Sequence, residues 1–271
     1  MRYRLIAIDL DGTLLSDAKL VSPVNAAALK RAADRGIRIM ISSGRIFPEA
    51  ERCVDALDSV SLISACNGAD IRDMSADKSV GSRPIEPEAR DGIVAILHDS
   101  PLFYSLYTRD TVLLERGIME RFSCYKPYIE GRFAVSTFVD DMRNLGSALD
   151  GGVYKIYAMS PDERDTARVR ALIESRCDVE ISSSSVNNIE ITAKGVDKGS
   201  ALAAIEREYG IPREEMIALG DNENDLPMLR YAGLPIAMGN AEPCVLKASR
   251  AVTLRNDEDG VAAAIEKYAL N

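Results

Sequence analysis

Apolar and polar positions along the chain follow two different rhythms. At both ends, short runs of apolar residues without polar interruption alternate with stretches of helical spacing, the pattern of buried parallel strands joined by helices. In the first part this predicts a strand from Arg4 to Asp9, a helix from Pro23 to Arg35 closed by Gly36, a strand from Ile37 to Ser42, a helix from Phe47 to Leu57 and a strand from Ser61 to Ala65. The rhythm returns late in the chain. There it predicts a helix from Lys198 to Tyr209 ended by Gly210, a strand from Met216 to Leu219, a helix from Asp225 to Tyr231 and a strand from Pro235 to Met238. A strand from Ala251 to Leu254 and a helix from Asp259 to Leu270 complete the series. Parallel crossovers are almost always right-handed, so these elements fit one sheet with helices on both faces.

The middle of the chain has another character. Leu102 to Thr108 and Thr111 to Glu115 read as a hairpin, with further strands from Tyr154 to Met159 and from Val179 to Ser183. Helices from Pro87 to Asp99, Gly117 to Tyr125 and Pro161 to Cys177 would cover one face. Antiparallel strands with segregated helices describe a separate α+β domain. The expected fold is therefore α/β: a doubly wound, Rossmann-like parallel-sheet core of residues 1–82 and 189–271, with an α+β cap domain of residues 83–188 inserted in it. The serine run Ser182 to Ser185 reads as a link between the two.

At 271 residues the chain is long enough for two cores, and its 46% apolar content is ordinary for a globular protein. No apolar run reaches the roughly 18 residues of a membrane span, and Asp9 and Asp11 interrupt the N-terminal one where a signal peptide needs continuity. A cytoplasmic protein with no membrane partner is expected. The formal charge of -9 and pI near 4.9 argue against nucleic acid, which needs a basic face, but permit a small basic pocket for a phosphate. Cys53, Cys66, Cys124, Cys177 and Cys244 show no CxxC spacing and read as buried, reduced thiols. The lone histidine, His98, falls at a helix end, where solvation is its ordinary role. That reading excludes most Ser-His and Cys-His schemes.

Attention then falls on the strand ends, where open α/β sheets bind ligands. Asp9 closes a buried strand, and a carboxylate there needs a metal ion or a lysine. Asp11, two residues on, points to the same side if the extended geometry persists. Three more strand ends carry polar loops: Ser42-Ser43-Gly44-Arg45, Asn67-Gly68, and Gly220-Asp221-Asn222-Glu223-Asn224-Asp225. Each alone has an ordinary reading as a turn, and Asp225 before Leu226-Pro227 fits a helix cap. Lys198 opens a helix, where the dipole disfavours a cation, and so calls for an anionic partner.

Together these loops resemble the four motifs of the haloacid dehalogenase superfamily. The segments are DLDGT at Asp9 to Thr13, the serine before Gly44-Arg45, the lysine of KGVDKG, and GDNEND ending at Asp225, in the family's order and over both ends of the chain. The resemblance implies that Asp9 is the nucleophile, Asp11 the general acid and base, Ser43 a phosphate ligand, Lys198 the charge partner and Asp221 a ligand of Mg²⁺. The stretch between Asp11 and Ser43 holds a flap, a helix and a strand, while that between Ser43 and Lys198 is far longer than the core needs. That placement resembles the C2 cap class, and the motif forms resemble its Cof-type branch, mostly magnesium-dependent phosphatases of small phosphorylated metabolites such as sugar phosphates and phosphorylated cofactors. Serine replaces the branch's usual threonine at position 43, and Glu223 adds an acid to the metal loop as an outer or helix-opening charge.

The implied chemistry is coherent. A carboxylate attacks the phosphoryl group, giving an aspartyl phosphate that water then hydrolyses. Mg²⁺ favours oxygen ligands, and Asp9, the Asp11 backbone carbonyl and Asp221 supply a partial shell, with Asp225 joining directly or through water. Asp11 is expected to carry the proton, since the metal keeps Asp9 ionised. Gly12, Gly44, Arg45, Asn67 and Asn224 are candidate substrate contacts, and the cap would exclude water. The same scaffold also admits a phosphomutase or a non-catalytic phosphoacceptor. The expected partner is a small phosphorylated metabolite, with the protein a monomer or small homo-oligomer.

Overall fold

The computed structural model describes residues 2–123, 135–145, 149 and 151–271. Two compact units emerge, one made of Met1–Ser82 with Val196–Asn271 and the other of Arg83–Gly195. The first segment contains β1 (Leu5–Ile8), α1 (Pro23–Asp34), β2 (Arg38–Ser42), α2 (Phe47–Val54), β3 (Val60–Ala65), β4 (Asp70–Asp73) and β5 (Lys78–Ser82). The second unit follows, with α3 (Pro87–His98), β6 (Phe103–Tyr107), β7 (Val112–Glu115), α4 (Arg116–Arg121), β8 (Ser136–Val139), β9 (Lys155–Met159), α5 (Glu163–Arg176), β10 (Val179–Ser182) and β11 (Asn188–Ala193). The chain then returns to the first unit through α6 (Lys198–Tyr209), β12 (Met216–Gly220), α7 (Leu226–Tyr231), β13 (Leu234–Ala237), α8 (Pro243–Ala248), β14 (Ala251–Val252) and α9 (Gly260–Ile265).

The first unit is built on one eight-stranded sheet in the order β14-β13-β12-β1-β2-β3-β4-β5. Strands β14 through β3 pair in parallel, as the uninterrupted apolar runs predict. All four residues of β1 are buried, so the strand has no polar alternation to show. Its register sets Ile8 between Leu219 of β12 and Ile41 of β2, which brings the carboxyl ends of all three strands to the same edge. The order reverses at β1, with later strands on one side and earlier ones on the other, and the crevice of such a sheet lies there.

Local signals begin the helices that flank this crevice. Ser22 caps α1 by accepting the Asn25 N–H, with Pro23 in the first turn. At α6, Asp197 and Ser200 form a reciprocal capping box, which fixes Lys198 at the first helical position.

Several expectations change. The sheet is not wholly parallel: β4 and β5 add an antiparallel hairpin, whose charged residues Asp70, Arg72, Asp73 and Lys78 hid it from an apolar pattern. The second unit runs to Gly195, beyond residue 188, because β11 pairs with both β10 and β9 in the second sheet. That sheet has the order β10-β11-β9-β6-β7-β8 and is antiparallel except between β7 and β8. The serine run therefore ends β10 and enters the turn to β11 instead of forming a domain link. There Ser183 Oγ donates to the Asn188 carbonyl at 2.9 Å. Helices α3 and α5 pack together, burying Ile93, Val94 and Leu97 with Val169 and Ile173. Helix α4 ends at Arg121, and Tyr125, its expected end, lies outside the described residues.

The four described cysteines are thiols but not uniformly buried: Cys66 is buried, Cys53 and Cys177 are intermediate and Cys244 is exposed. Cys124 lies outside the described residues. His98 ends α3 half-buried, 3.4 Å from the Tyr104 hydroxyl. Among the described residues no helix is long and apolar enough to cross a membrane.

The central strand is the most sensitive part of this fold. Ile6 is wholly buried between Ile39 and Ile217. Ile6→Ala should lower unfolding free energy by about 2–5 kcal/mol through lost burial and the cavity left behind, read as a lower urea midpoint with an unchanged slope.

Candidate active site

Asp9 lies one residue beyond β1, its N–H donating to the Leu219 carbonyl at 3.1 Å. The cation that a buried carboxylate there calls for is Lys198. Its Nζ donates to Asp9 Oδ1 and to Asp225 Oδ1, both at 2.6 Å, and the side chain is fully buried. Asp225 uses its other oxygen to accept the N–H groups of Asp221 and Asn222, at 2.8 and 3.1 Å. Both Asp225 oxygens are thus engaged, which folds the loop back on itself. Asp221 accepts the Thr13 hydroxyl on Oδ1 and the Asn222 side-chain amide on Oδ2, each at 2.7 Å.

Ligand atoms of Asp9, Asp221 and Asp225 lie within 4.8 Å of one another, and all three residues are buried. With Lys198 as their ion-pair partner, the three carboxylates retain two negative charges in excess when ionised. Burial, together with the charges of Asp225 and Asp221, pushes Asp9 well above the usual carboxylate range despite Lys198. Burial and Asp225 push Asp221 up to about 7, against the Thr13 hydroxyl bond and Lys198. Lys198 would be lowered by burial, but Asp225 and Asp9 outweigh this and hold its ammonium above the ordinary range. Hard oxygen donors, buried together with two charges in excess, fit a divalent cation.

Loop geometry brings these groups together. Gly12 has φ of +82°, and a Cβ there would lie 2.3 Å from Asp221 Oδ2, so only glycine lets the two loops approach so closely. The loop after β3 takes a left-handed path through Cys66, Asn67 and Gly68. It is tied to the loop after β2 by Asn67 N–H to the Ser43 carbonyl at 2.9 Å and Cys66 N–H to the Arg45 carbonyl at 2.8 Å. Ser43 Oγ accepts the Arg45 N–H at 3.2 Å, across Gly44, which leaves the hydroxyl proton able to donate. Asn224 Nδ2 reaches Asn67 Oδ1 at 3.4 Å, joining the last loop to this group. Glu223 opens the short turn before α7, as a helix-opening charge would.

Three residues outside the sequence-based candidates support the Asp9 loop. Thr13 holds Asp221, as described above. Asn240 Nδ2 donates to the Gly12 carbonyl at 2.8 Å, and Asn256 donates its N–H to Asn240 Oδ1 at 3.0 Å and its side-chain amide to the Leu15 carbonyl at 3.1 Å. Asn240 follows Met238-Gly239 at the end of β13, so a polar group at a strand end was a readable signal there. Asn256 opens a single 3-10 turn away from any strand end and had none.

Asp11 lies at the more open edge of this group. Its side chain is 42% exposed and engages two cations. Arg45 donates through Nε to Oδ2 and through Nη2 to Oδ1, both at 2.8 Å, while Lys19 Nζ meets Oδ1 at 2.7 Å. Burial would raise the Asp11 carboxyl, but Arg45 and then Lys19 hold it far below the usual range. Asp11 is thereby held in its ionised form by its two cationic partners. The reason is long-range: Arg45 reaches Asp11 from the loop after β2, and Lys19 from the loop after β1.

A Rossmann-like sheet, its crevice holding strand-end carboxylates and a buried lysine, defines the class, and comparison with known proteins places the chain within it. A haloacid dehalogenase-like hydrolase family profile matches residues 6–265. Two 5-amino-6-(5-phospho-D-ribitylamino)uracil phosphatases of Bacillus subtilis are 30% and 31% identical, covering 98% and 97% of this chain and 96% and 97% of their own lengths. The solved structure of a haloacid dehalogenase-like hydrolase from B. subtilis aligns with a TM-score of 0.87 at 28% identity, covering 98% of this chain and 99% of that one. The chain belongs to the haloacid dehalogenase-like hydrolase family, a hydrolase of the same class as those phosphatases.

Two outcomes follow from the electrostatics. Lys198→Met leaves Asp9 and Asp225 buried without their counter-charge and should cost about 3–5 kcal/mol of stability, measurable by urea denaturation in chelator. For pH, a carboxylate raised to about 7 from an ordinary 3.8 binds more protons folded than unfolded between those values. Its stabilising effect is full below the lower value and is lost as pH rises through the higher one. Metal-free protein should therefore melt at higher temperature at pH 5.5 than at pH 7.5. Asp221→Asn should flatten that slope, and a saturating divalent cation should reverse it, since binding needs ionised carboxylates.

Proposed function

We propose that the protein is a Mg²⁺-dependent phosphatase that hydrolyses the phosphate monoester of a small metabolite through an aspartyl phosphate on Asp9. The observation that carries this reading is the buried Lys198 bridge between Asp9 and Asp225, with Asp221 alongside. A carboxylate so held is oriented for in-line attack, and a fixed ammonium beside it stabilises charge on a transferring phosphoryl group.

Asp9, Asp221 and the Asp11 backbone carbonyl would hold Mg²⁺; Asp225, whose oxygens are occupied, would order the loop and act on the ion through water. When bound, the ion neutralises the excess carboxylate charge and allows a phosphate dianion to approach Asp9. An Asp9 oxygen forms a bond to phosphorus as the ester P–O bond breaks, and the leaving alcohol takes a proton from Asp11. Water then attacks the same phosphorus, its proton goes to Asp11, and inorganic phosphate leaves with Asp9 restored. Ser43, with its hydroxyl proton free to donate, and the amides around Gly12 and Gly44 would hold phosphate oxygens. Arg45, Asn67 and Asn224 would contact the substrate.

For Asp11 to carry a proton, its grip by Arg45 must loosen. An incoming phosphate dianion offers that guanidinium a stronger partner than a monoanionic carboxylate.

The named activity of the B. subtilis relatives makes 5-amino-6-(5-phospho-D-ribitylamino)uracil the first substrate to try, within the wider class of sugar phosphates and phosphorylated cofactors. The test is phosphate release with Mg²⁺ from a panel containing that compound, ribose 5-phosphate, glycerol 3-phosphate and 4-nitrophenyl phosphate. At least one should be turned over, and Asp9→Asn should lower kcat by at least about 10³-fold, in line with loss of a nucleophile, with circular dichroism unchanged. Silence across the panel with metal shown bound, or an active Asp9→Asn protein, would overturn the reading.

A further inference from the structure

Asp11 Oδ1 and Oδ2 are not equivalent in this structure. Among the described residues, Oδ1 accepts both Lys19 Nζ and Arg45 Nη2, while Oδ2 accepts only Arg45 Nε. If Arg45 turns toward a bound phosphate, Oδ2 is released entirely and Oδ1 keeps the Lys19 ammonium. A carboxyl on a partly exposed loop would otherwise be free to rotate, and general acid catalysis needs it within hydrogen-bond reach of the leaving oxygen.

Lys19 is built into place for this. Its loop closes on itself: Asp11 bridges Leu15, Ser16 N–H donates to the Leu20 carbonyl at 3.0 Å, and Lys19 N–H donates to the Ser16 carbonyl at 2.8 Å. Lys19 takes φ of +61°, in the left-handed region that favours glycine or asparagine. A lysine is therefore held where the backbone prefers a smaller residue, with its ammonium on Asp11.

Resting on the phosphatase reading above, we propose that Lys19 is a positioning residue: it anchors Asp11 through Oδ1 while Arg45 is handed to the substrate, so that Oδ2 alone gives and takes the proton. Lys19 acts only through Asp11 and touches no reacting atom. Its loss is then felt in proportion to how much the leaving group needs a proton. An alkoxide needs one; 4-nitrophenolate does not.

The test compares Lys19→Met, Lys19→Gly and Lys19→Arg on the fastest primary-alcohol phosphate of the panel and on 4-nitrophenyl phosphate. Lys19→Met and Lys19→Gly should each lower kcat/KM about tenfold on the alkyl ester, a modest misplacement of an acid, and less than about twofold on the aryl ester. Lys19→Arg should recover most of the alkyl activity. Lys19→Gly suits the backbone angle, so its melting temperature should stay within about 3 °C of wild type, separating loss of the ammonium from loss of the fold. Equal losses on both esters, no loss on either, or no recovery with arginine would overturn the proposal. Asp11→Asn separates this from the underlying reading. If that variant still turns over the alkyl ester, the role given to Asp11 fails. If it is inactive while Lys19→Met treats both esters alike, the inference about Lys19 fails alone.

Discussion

The ammonium of Lys198, sealed between Asp9 and Asp225, is the interaction on which the site depends. A buried charge is tolerated only with partners, and here each partner secures a different loop. Asp9 ends the central strand, and Asp225 organises the turn that presents Asp221. The helix that carries Lys198 starts where it does because Asp197 and Ser200 cap it. A single cation thus fixes the distance between two strand ends and a helix start. The two charges left unbalanced among the three carboxylates define what kind of ion could complete the arrangement.

Around that centre, the loops are joined by backbone and amide bonds of ordinary strength, each contributing about 1 kcal/mol. Their value is directional. Asn240 and Asn256 fix the carbonyls of Gly12 and Leu15, while Asn67 and Cys66 tie the loop after β3 to the one after β2. Close approach at Gly12 leaves no space for a side chain, so the chemistry of the site and the identity of that residue are inseparable. Outside this rigid group, Asp11 is held by two cations rather than by packing, which leaves it able to change partners during a reaction.

The sequence made the parallel sheet legible because fully buried strands write themselves as unbroken apolar runs: Leu5 to Ile8, Ile39 to Ser42 and Met216 to Leu219. The strand-end position of Asp9, Ser43, Asn67 and Asp221 was readable for the same reason. The antiparallel hairpin after Asn67 was not, because Asp70, Arg72 and Asp73 find their partners through side chains and neighbouring strands that no local pattern displays. Strand β11 was missed in the same way, as its Asn188, Glu190 and Thr192 interrupt the apolar rhythm. The ion pairs of Asp11 were beyond reach of spacing alone, since Arg45 and Lys19 meet it only once the loops after β1 and β2 have folded.

The position of β1 also bears on how the protein comes into being. Strand β1 lies between β2, its near neighbour in sequence, and β12, about two hundred residues later. Until α6, β12 and the loop after β12 have all emerged, Asp9 lacks its full set of partners, Lys198 and Asp221, and one edge of the central strand has no neighbour. The inserted unit, contiguous in sequence, can fold in that interval by itself. Assembly of the site is therefore a closing event, which waits for segments on both sides of the inserted unit to meet.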